Sequence, residues 1–156
     1  MKAKIDNLKT VYATCNSEGL IKPKEKTDIE LIKSLFDSAK EGFERIEYYD
    51  LGFEKKRKNF AFLFRDHYEV LRMLIDVFLF FDKIAISNHQ CSSAYLCTNH
   101  PELEFDWDIL ETMRILRNAI NYEGKKINLE KWNNTKIQFK VYISTLRKAI
   151  QEKLKE

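Results

Sequence analysis

The chain has 156 residues, a formal net charge of +3, 44% hydrophobic residues and 33% charged residues. That is the size of one ordinary domain with apolar mass enough for a real core, and the balance of the two excludes a disordered chain. With only four glycines and two prolines, breakers are scarce, which predicts an all-α fold: an up-and-down helical bundle of four to five helices.

Residues 1–26 are read as an N-terminal extension and 27–154 as the bundle, within a single domain. In the extension, Ile5, Leu8, Tyr12 and Cys15 recur at a weak helical spacing, Asn16-Ser17-Glu18-Gly19 ends the pattern, and Pro23 with its lysines makes a connector. Thr27-Asp28-Ile29-Glu30 has the form of a capping box, and Ile32, Phe36, Ala39, Phe43 and Ile46 follow it at helical spacing. This helix fades near Tyr49-Asp50-Leu51-Gly52. After the basic run Lys55-Lys56-Arg57-Lys58, the most apolar segment spans Phe60 to Ile86 and is expected to be the central helix.

That segment is long enough to suggest a membrane span, but Arg65, Asp66, Glu69, Arg72 and Asp76 interrupt it. Arg65, Glu69, Arg72 and Asp76 read as a structural charge ladder, and His67 beside them as a surface or interface histidine. Ser87 to Phe105 is expected to be an irregular crossover with a short helix near Ser92 to Leu96. Asp108 with Glu111 predicts the cap of the next helix, whose inward stripe is Ile109, Met113, Leu116 and Ile120. Gly124 stands where a left-handed C-terminal cap belongs. A last helix opens near Asn128 with the seam Leu129, Trp132, Phe139, Ile143, Leu146 and Ile150, which Lys136 interrupts.

The candidate functional residues lie at the end of the helix before Gly124. Arg114, Arg117, Asn118 and Asn121 share a face by their spacing, and Tyr122 follows. Arg117 and Tyr122 are about 140° apart on an ideal helix, so only a second copy could bring such groups together in one cleft. Guanidinium groups beside amides and a phenol suit a phosphate and a ribose. The alternative is a purely structural role, with Arg117 paired to a carboxylate on the neighbouring helix such as Asp76.

The segment Leu116-Arg117-Asn118-Ala119-Ile120-Asn121-Tyr122-Glu123-Gly124-Lys125-Lys126-Ile127 resembles the signature of HEPN domains, in which an arginine, usually followed by asparagine, precedes a histidine by four to six residues. The order of elements from about Thr27 to Leu154 is also similar, including an apolar helix ending in Ser-x-His, here Ser87-Asn88-His89. The resemblance implies a homodimer with the signature helices at its interface. It also implies RNA or nucleotide binding, possible partnership with a nucleotidyltransferase, and a place in a toxin–antitoxin or anti-phage system.

In cleaving members of that family the arginine stabilises the reacting phosphate and the histidine moves protons, with no metal. Arg117 and Asn118 match the motif, but Tyr122 stands where the histidine belongs. An imidazole ionising near ~6.5 both gives and takes protons at neutral pH, whereas a phenol ionising near ~10 is a poor base. The expected roles are therefore catalytic or central for Arg117, Asn118 and Tyr122, and ligand-binding for Arg114, Asn121 and Asp76. Binding without turnover is favoured over a metal-independent endoribonuclease, and a non-catalytic interaction module is the third reading.

No cofactor and no metal are expected. His89-x-Cys91 with Cys97-x-x-His100 could supply two imidazoles and two thiols, but the spacing matches no standard zinc pattern. The residues Met1 to Leu20 carry charges throughout and no apolar core, so no signal peptide is read there. An odd number of cysteines without such a signal predicts reduced thiols in a cytoplasmic protein. The run Lys55 to Lys58 is a solvated loop or a tracker of phosphates.

Overall fold

The computed structural model describes residues 4–53 and 58–156. Among them the helices are α1 (Leu8–Ser17), α2 (Ile29–Phe53), α3 (Ala61–Phe80), α4 (His89–Asn99), α5 (Trp107–Glu123) and α6 (Leu129–Lys153). Two short strands, β1 (Ile21–Pro23) and β2 (Ile84–Ile86), pair antiparallel with Ile21 opposite Ile86. Lys55, Lys56 and Arg57 of the basic run lie outside the described residues.

Short polar side chains open the helices by accepting from backbone N–H groups that have no helical partner. Asn7, Asn88, Asp106 and Asn128 do this for α1, α4, α5 and α6. At the start of α2 the acceptor is Asp28, from Leu31 N at 3.0 Å, rather than the expected Thr27. At the start of α5 it is Asp106 rather than Asp108, which leaves Glu111 free to turn inward. Gly124 closes α5 at φ +63, as its position predicts.

The central helix is shorter than its hydropathy implies. Residues 78–83 tighten into hydrogen bonds three residues apart, Lys83 takes φ +57, and Ile84 to Ile86 leave helical geometry for β2. β-Branched side chains favour that extended backbone, and Ile21–Pro23 supplies the partner strand. Hence the expected connector around Pro23 is β1, and the fold is all-α apart from this two-stranded ribbon. The expected crossover is also more ordered than anticipated, with α4 running from His89 to Asn99.

α3 occupies the middle of the bundle and packs against α2, α4, α5 and α6. Its Phe64, Leu71, Leu74 and Phe78 meet Ile32 and Phe36 of α2 and Phe139, Ile143 and Leu146 of α6 in one buried cluster. No helix is long and apolar enough to cross a membrane among the described residues. Asn59 ties two connections together, its Oδ1 accepting from Ala61 N and Ile127 N at 3.0 Å each.

His67 is not a surface residue. It is buried, with Nδ1 2.7 Å from Leu63 O and its ring against Phe43, Trp132 and Phe139. The break in the α6 seam has a similar inward explanation, since Lys136 reaches the buried carboxylate of Asp50 at 2.6 Å.

The expectation of three free thiols is overturned. Cys15 of α1 and Cys91 of α4 form a disulfide across 76 residues of sequence, with Cα atoms 5.8 Å apart, and Cys97 alone is free. Tertiary packing makes this pair, because α1 lies along α4 and buries Val11, Cys15, Cys91, Ala94 and Trp107 in a second, smaller cluster. Trp107 Nε1 donates to Asp6 O at 2.8 Å and Tyr12 Oη accepts from Asn99 Nδ2 at 3.2 Å, so the extension is fastened at Asp6, Tyr12 and Cys15.

Candidate functional site

Three helices contribute to one polar cluster. On α3, Glu69, Arg72 and Asp76 follow one another at steps of three and four, so they line a single stripe, with Tyr68 at its edge. On α5, Glu111, Arg114 and Arg117 follow at two steps of three, so they too lie on neighbouring positions of one side. The first turn of α4 adds His89, Gln90 and Ser92.

Glu69 is the joint between α3 and α5. Its Oε1 accepts from Arg117 Nε at 2.8 Å, and its Oε2 accepts from Arg72 Nη1 at 3.3 Å. Arg72 Nε in turn lies 3.8 Å from Asp76 Oδ2, and Asp76 Oδ1 accepts from Ser92 Oγ at 3.1 Å. Glu111, only 1% exposed, accepts from Arg114 Nε at 2.7 Å and Nη2 at 2.9 Å. Its Oε2 also accepts from Gln90 Nε2 at 2.8 Å. These donors offset the cost of burying a carboxylate this deep.

Rings complete the cluster. The Arg117 guanidinium sits 5.9 Å from the Tyr68 ring centre, and the Tyr68 and His89 rings stand 6.4 Å apart. Tyr68, Arg72, Asp76, His89 and Ser92 surround a recess of about 10 Å³. That is space for roughly one water, so a larger ligand would rest at its mouth.

The electrostatics follow from burial beside three guanidinium groups. Burial first, then Arg72, Arg117 and Arg114, push the His89 imidazole down to about 4, against the pull of Glu69. Burial pushes the Tyr68 phenol up to about 12, although Arg114 and Arg117 act the other way. Burial also raises the Asp76 carboxyl, opposed by the Ser92 hydrogen bond and by Arg72. At neutral pH the site thus holds a neutral imidazole that accepts hydrogen bonds but resists taking up a proton, and a neutral phenol capable of donating a hydrogen bond.

Of the residues expected from sequence, Arg114, Arg117, Asn118 and Asp76 join this cluster. Asn118 Oδ1 accepts from Arg117 Nη1 at 3.3 Å, which helps to fix the guanidinium. Asn121 is exposed in the last turn of α5, and Tyr122 is 81% exposed. The partner of Arg117 is Glu69 rather than Asp76. The supposed ladder is also rearranged, for Arg65 pairs with Asp66 rather than with Glu69.

From sequence, Glu69 and Arg72 read only as part of a structural charge ladder, His89 only as part of the Ser-x-His segment and the zinc set, and Tyr68, Gln90 and Glu111 carry no site role. The i, i+3, i+7 spacing of Glu69, Arg72 and Asp76 was the available signal, but nothing local says that α4 lies over it. The four-residue zinc set does not assemble, because Cys91 is bonded to Cys15 and His100 is held between Asp82 and Glu102. Among the described residues, no three His, Cys, Asp or Glu side chains converge as metal ligands. Comparison with family models, with curated proteins and with solved structures finds no match.

Proposed function

We propose that this chain binds RNA or a nucleotide by its phosphate at the Arg117 cluster, as a HEPN-like helical homodimer in the cytoplasm. The observation that carries the reading is the convergence of Arg72 and Arg117 on the Tyr68 and His89 rings at the junction of α3, α4 and α5, with Arg114 held alongside by Glu111. Paired guanidinium groups keep further N–H donors for a phosphate, because each has five and Glu69 and Asn118 engage only part of the Arg117 set. Aromatic faces beside a basic site are the usual platform for unpaired bases.

The homodimer part rests on the exposed end of α5, where Tyr122 is presented away from the network of its own chain. A toxin–antitoxin or anti-phage setting, with a nucleotidyltransferase as a possible partner, follows only from the resemblance of Leu116 to Ile127 to the HEPN signature. The test is titration of fluorescent single-stranded RNA and of nucleoside monophosphates into wild type, Arg117→Ala and Arg72→Ala. Loss of binding in both variants is expected. Equal binding by all three would leave the cluster a structural ion network.

A second reading, metal-independent cleavage of RNA, is favoured by the placement of His89. The motif lacks a histidine at Tyr122, yet α4 brings one against Tyr68, whose ring also meets Arg117. On this reading the wild type cuts single-stranded RNA in the presence of a chelator, His89→Ala does not, and Tyr122→His makes no difference. Absence of cleavage by the wild type leaves the binding role alone.

A further inference from the structure

The residues on either side of Cys91 all serve the polar cluster. Gln90 donates to Glu111, Ser92 donates to Asp76, and His89 stands beside Tyr68 and Arg72. Cys91 itself faces the other way and is bonded to Cys15. The first turn of α4 is thus held from behind by α1 and presents its polar side chains forward. α1 packs chiefly on α4, in a cluster separate from the main core. What α1 does to α4 therefore reaches the site without passing through the bundle.

The sulfur pair is buried, with Cys15 and Cys91 each 2% exposed, beneath an open groove, so a reductant reaches the sulfurs when α1 lifts from α4. A groove of about 640 Å³ between α1 and the start of α4 is lined by Asp6, Asn7, Thr10, Cys15, Gln90 and Cys91. On the cytoplasmic reading proposed above, on which this inference also rests, a disulfide is a transient or redox-sensing bond far more often than a permanent staple.

We propose that the Cys15–Cys91 disulfide is a redox switch for the Arg117 cluster, opened by a dithiol reductant that enters the α1–α4 groove. One thiolate of the reductant attacks a sulfur of the pair, and the other cysteine leaves as a thiolate that takes up a proton. The second thiol of the reductant then displaces the first cysteine, closing the reductant into its own disulfide. Two electrons pass to the protein, and Cys15 and Cys91 become thiols. The bond that closed the loop between α1 and α4 is gone, so α1 and the first turn of α4 open at lower free energy than the core. Gln90 and Ser92 then release Glu111 and Asp76, and the site loses its fixed geometry. The ligand consequence rests on the phosphate-binding reading above, but the loosening of α4 does not.

The test compares the oxidised full chain with the same protein reduced by dithiothreitol, with thiols counted in each and Cys97→Ala as control. Hydrogen exchange is followed in α1 and α4, and affinity is measured for a labelled single-stranded RNA. Reduction should speed exchange in α1 and in residues 90–95 by roughly tenfold or more, while α3 and α6 stay protected. RNA affinity should fall by roughly 5- to 20-fold and return on reoxidation. Cys91→Ala should match the reduced protein, and if it does not fold, the reversible reduction of the wild type still decides the matter. Unchanged exchange in α4 after complete reduction, or loss of all helical signal, would overturn the switch. RNA affinity that is present and insensitive to reduction overturns it as well. If α4 loosens as expected but neither form binds RNA, the switch at α4 stands and the phosphate reading fails.

Discussion

Glu69 holds Arg117 across the interface of α3 and α5 with one carboxylate oxygen, Oε1, at 2.8 Å from Nε, and keeps its other oxygen for Arg72. The carboxylate therefore sets the spacing of two guanidinium groups while competing with any phosphate for them. Arg117 is 17% exposed and Glu69 35% exposed, so the pair is solvent-screened on one side.

Glu69→Gln should separate these two roles. Stability should fall by no more than about 1 kcal/mol, since a partly exposed pair contributes little. Affinity for RNA or a nucleotide should rise if competition dominates and fall if positioning dominates. Arg117→Ala should lose about 1.5–3 kcal/mol of binding, the worth of a charge-assisted hydrogen bond. Urea unfolding and titration calorimetry on both variants read the two effects apart. Wild-type affinity in Arg117→Ala would remove this residue from the site.

Acid should destabilise the fold through its histidines. Burial lowers His67, and burial with Arg72 lowers His89 to about 4. Below the ordinary value near ~6.5 the unfolded chain takes up protons that the folded chain refuses. Their contribution is complete above that pH and is lost as pH falls, continuing for His89 down to its folded value. Asp76, raised by burial, acts in the opposite sense at lower pH. Urea midpoints should decline from pH 7.5 to pH 5, and His67→Leu should flatten part of the decline. A midpoint that rises over this range contradicts the assignment.

Asp50 and Lys136 form an inward pair at 2.6 Å, with the Asp50 side chain 6% exposed. Removing the lysine leaves a carboxylate in the gap between α2 and α6. Lys136→Ala should therefore cost about 3–5 kcal/mol, whereas replacing both residues by leucine should recover most of it. Thermal or urea denaturation of the single and double variants checks this, and a negligible loss in Lys136→Ala would refute it.

Tyr122 offers a test of the homodimer. With its ring 81% exposed, Tyr122→Ala should alter the stability of one chain by no more than about 0.5 kcal/mol. If the ends of α5 meet in a two-fold pair, the same change should weaken association. Sedimentation at several concentrations distinguishes the outcomes. A monomer mass for the wild type at every concentration would end the dimer proposal.

The sequence by itself determined what depends on neighbours along the chain. Helical periodicity, the left-handed stop at Gly124 and, beyond the exposed Leu129 at its head, the apolar seam of α6 from Trp132 to Ile150 are local facts, each legible within a few residues. So was the common face of Arg114, Arg117 and Asn118. Tertiary structure decided what depends on partners distant in sequence. Ile84 to Ile86 carry enough hydrophobicity to continue α3, but Ile21–Pro23 offers them a strand to pair with. Arg117 could have met any of several carboxylates on α3, and helix packing chose Glu69. His89 is far from Arg117 in the chain, and both meet the Tyr68 ring only because α4 and α5 pack on α3. Cys15 and Cys91 become partners for the same reason: α1 has an apolar face too small to fold alone, and it buries that face on α4.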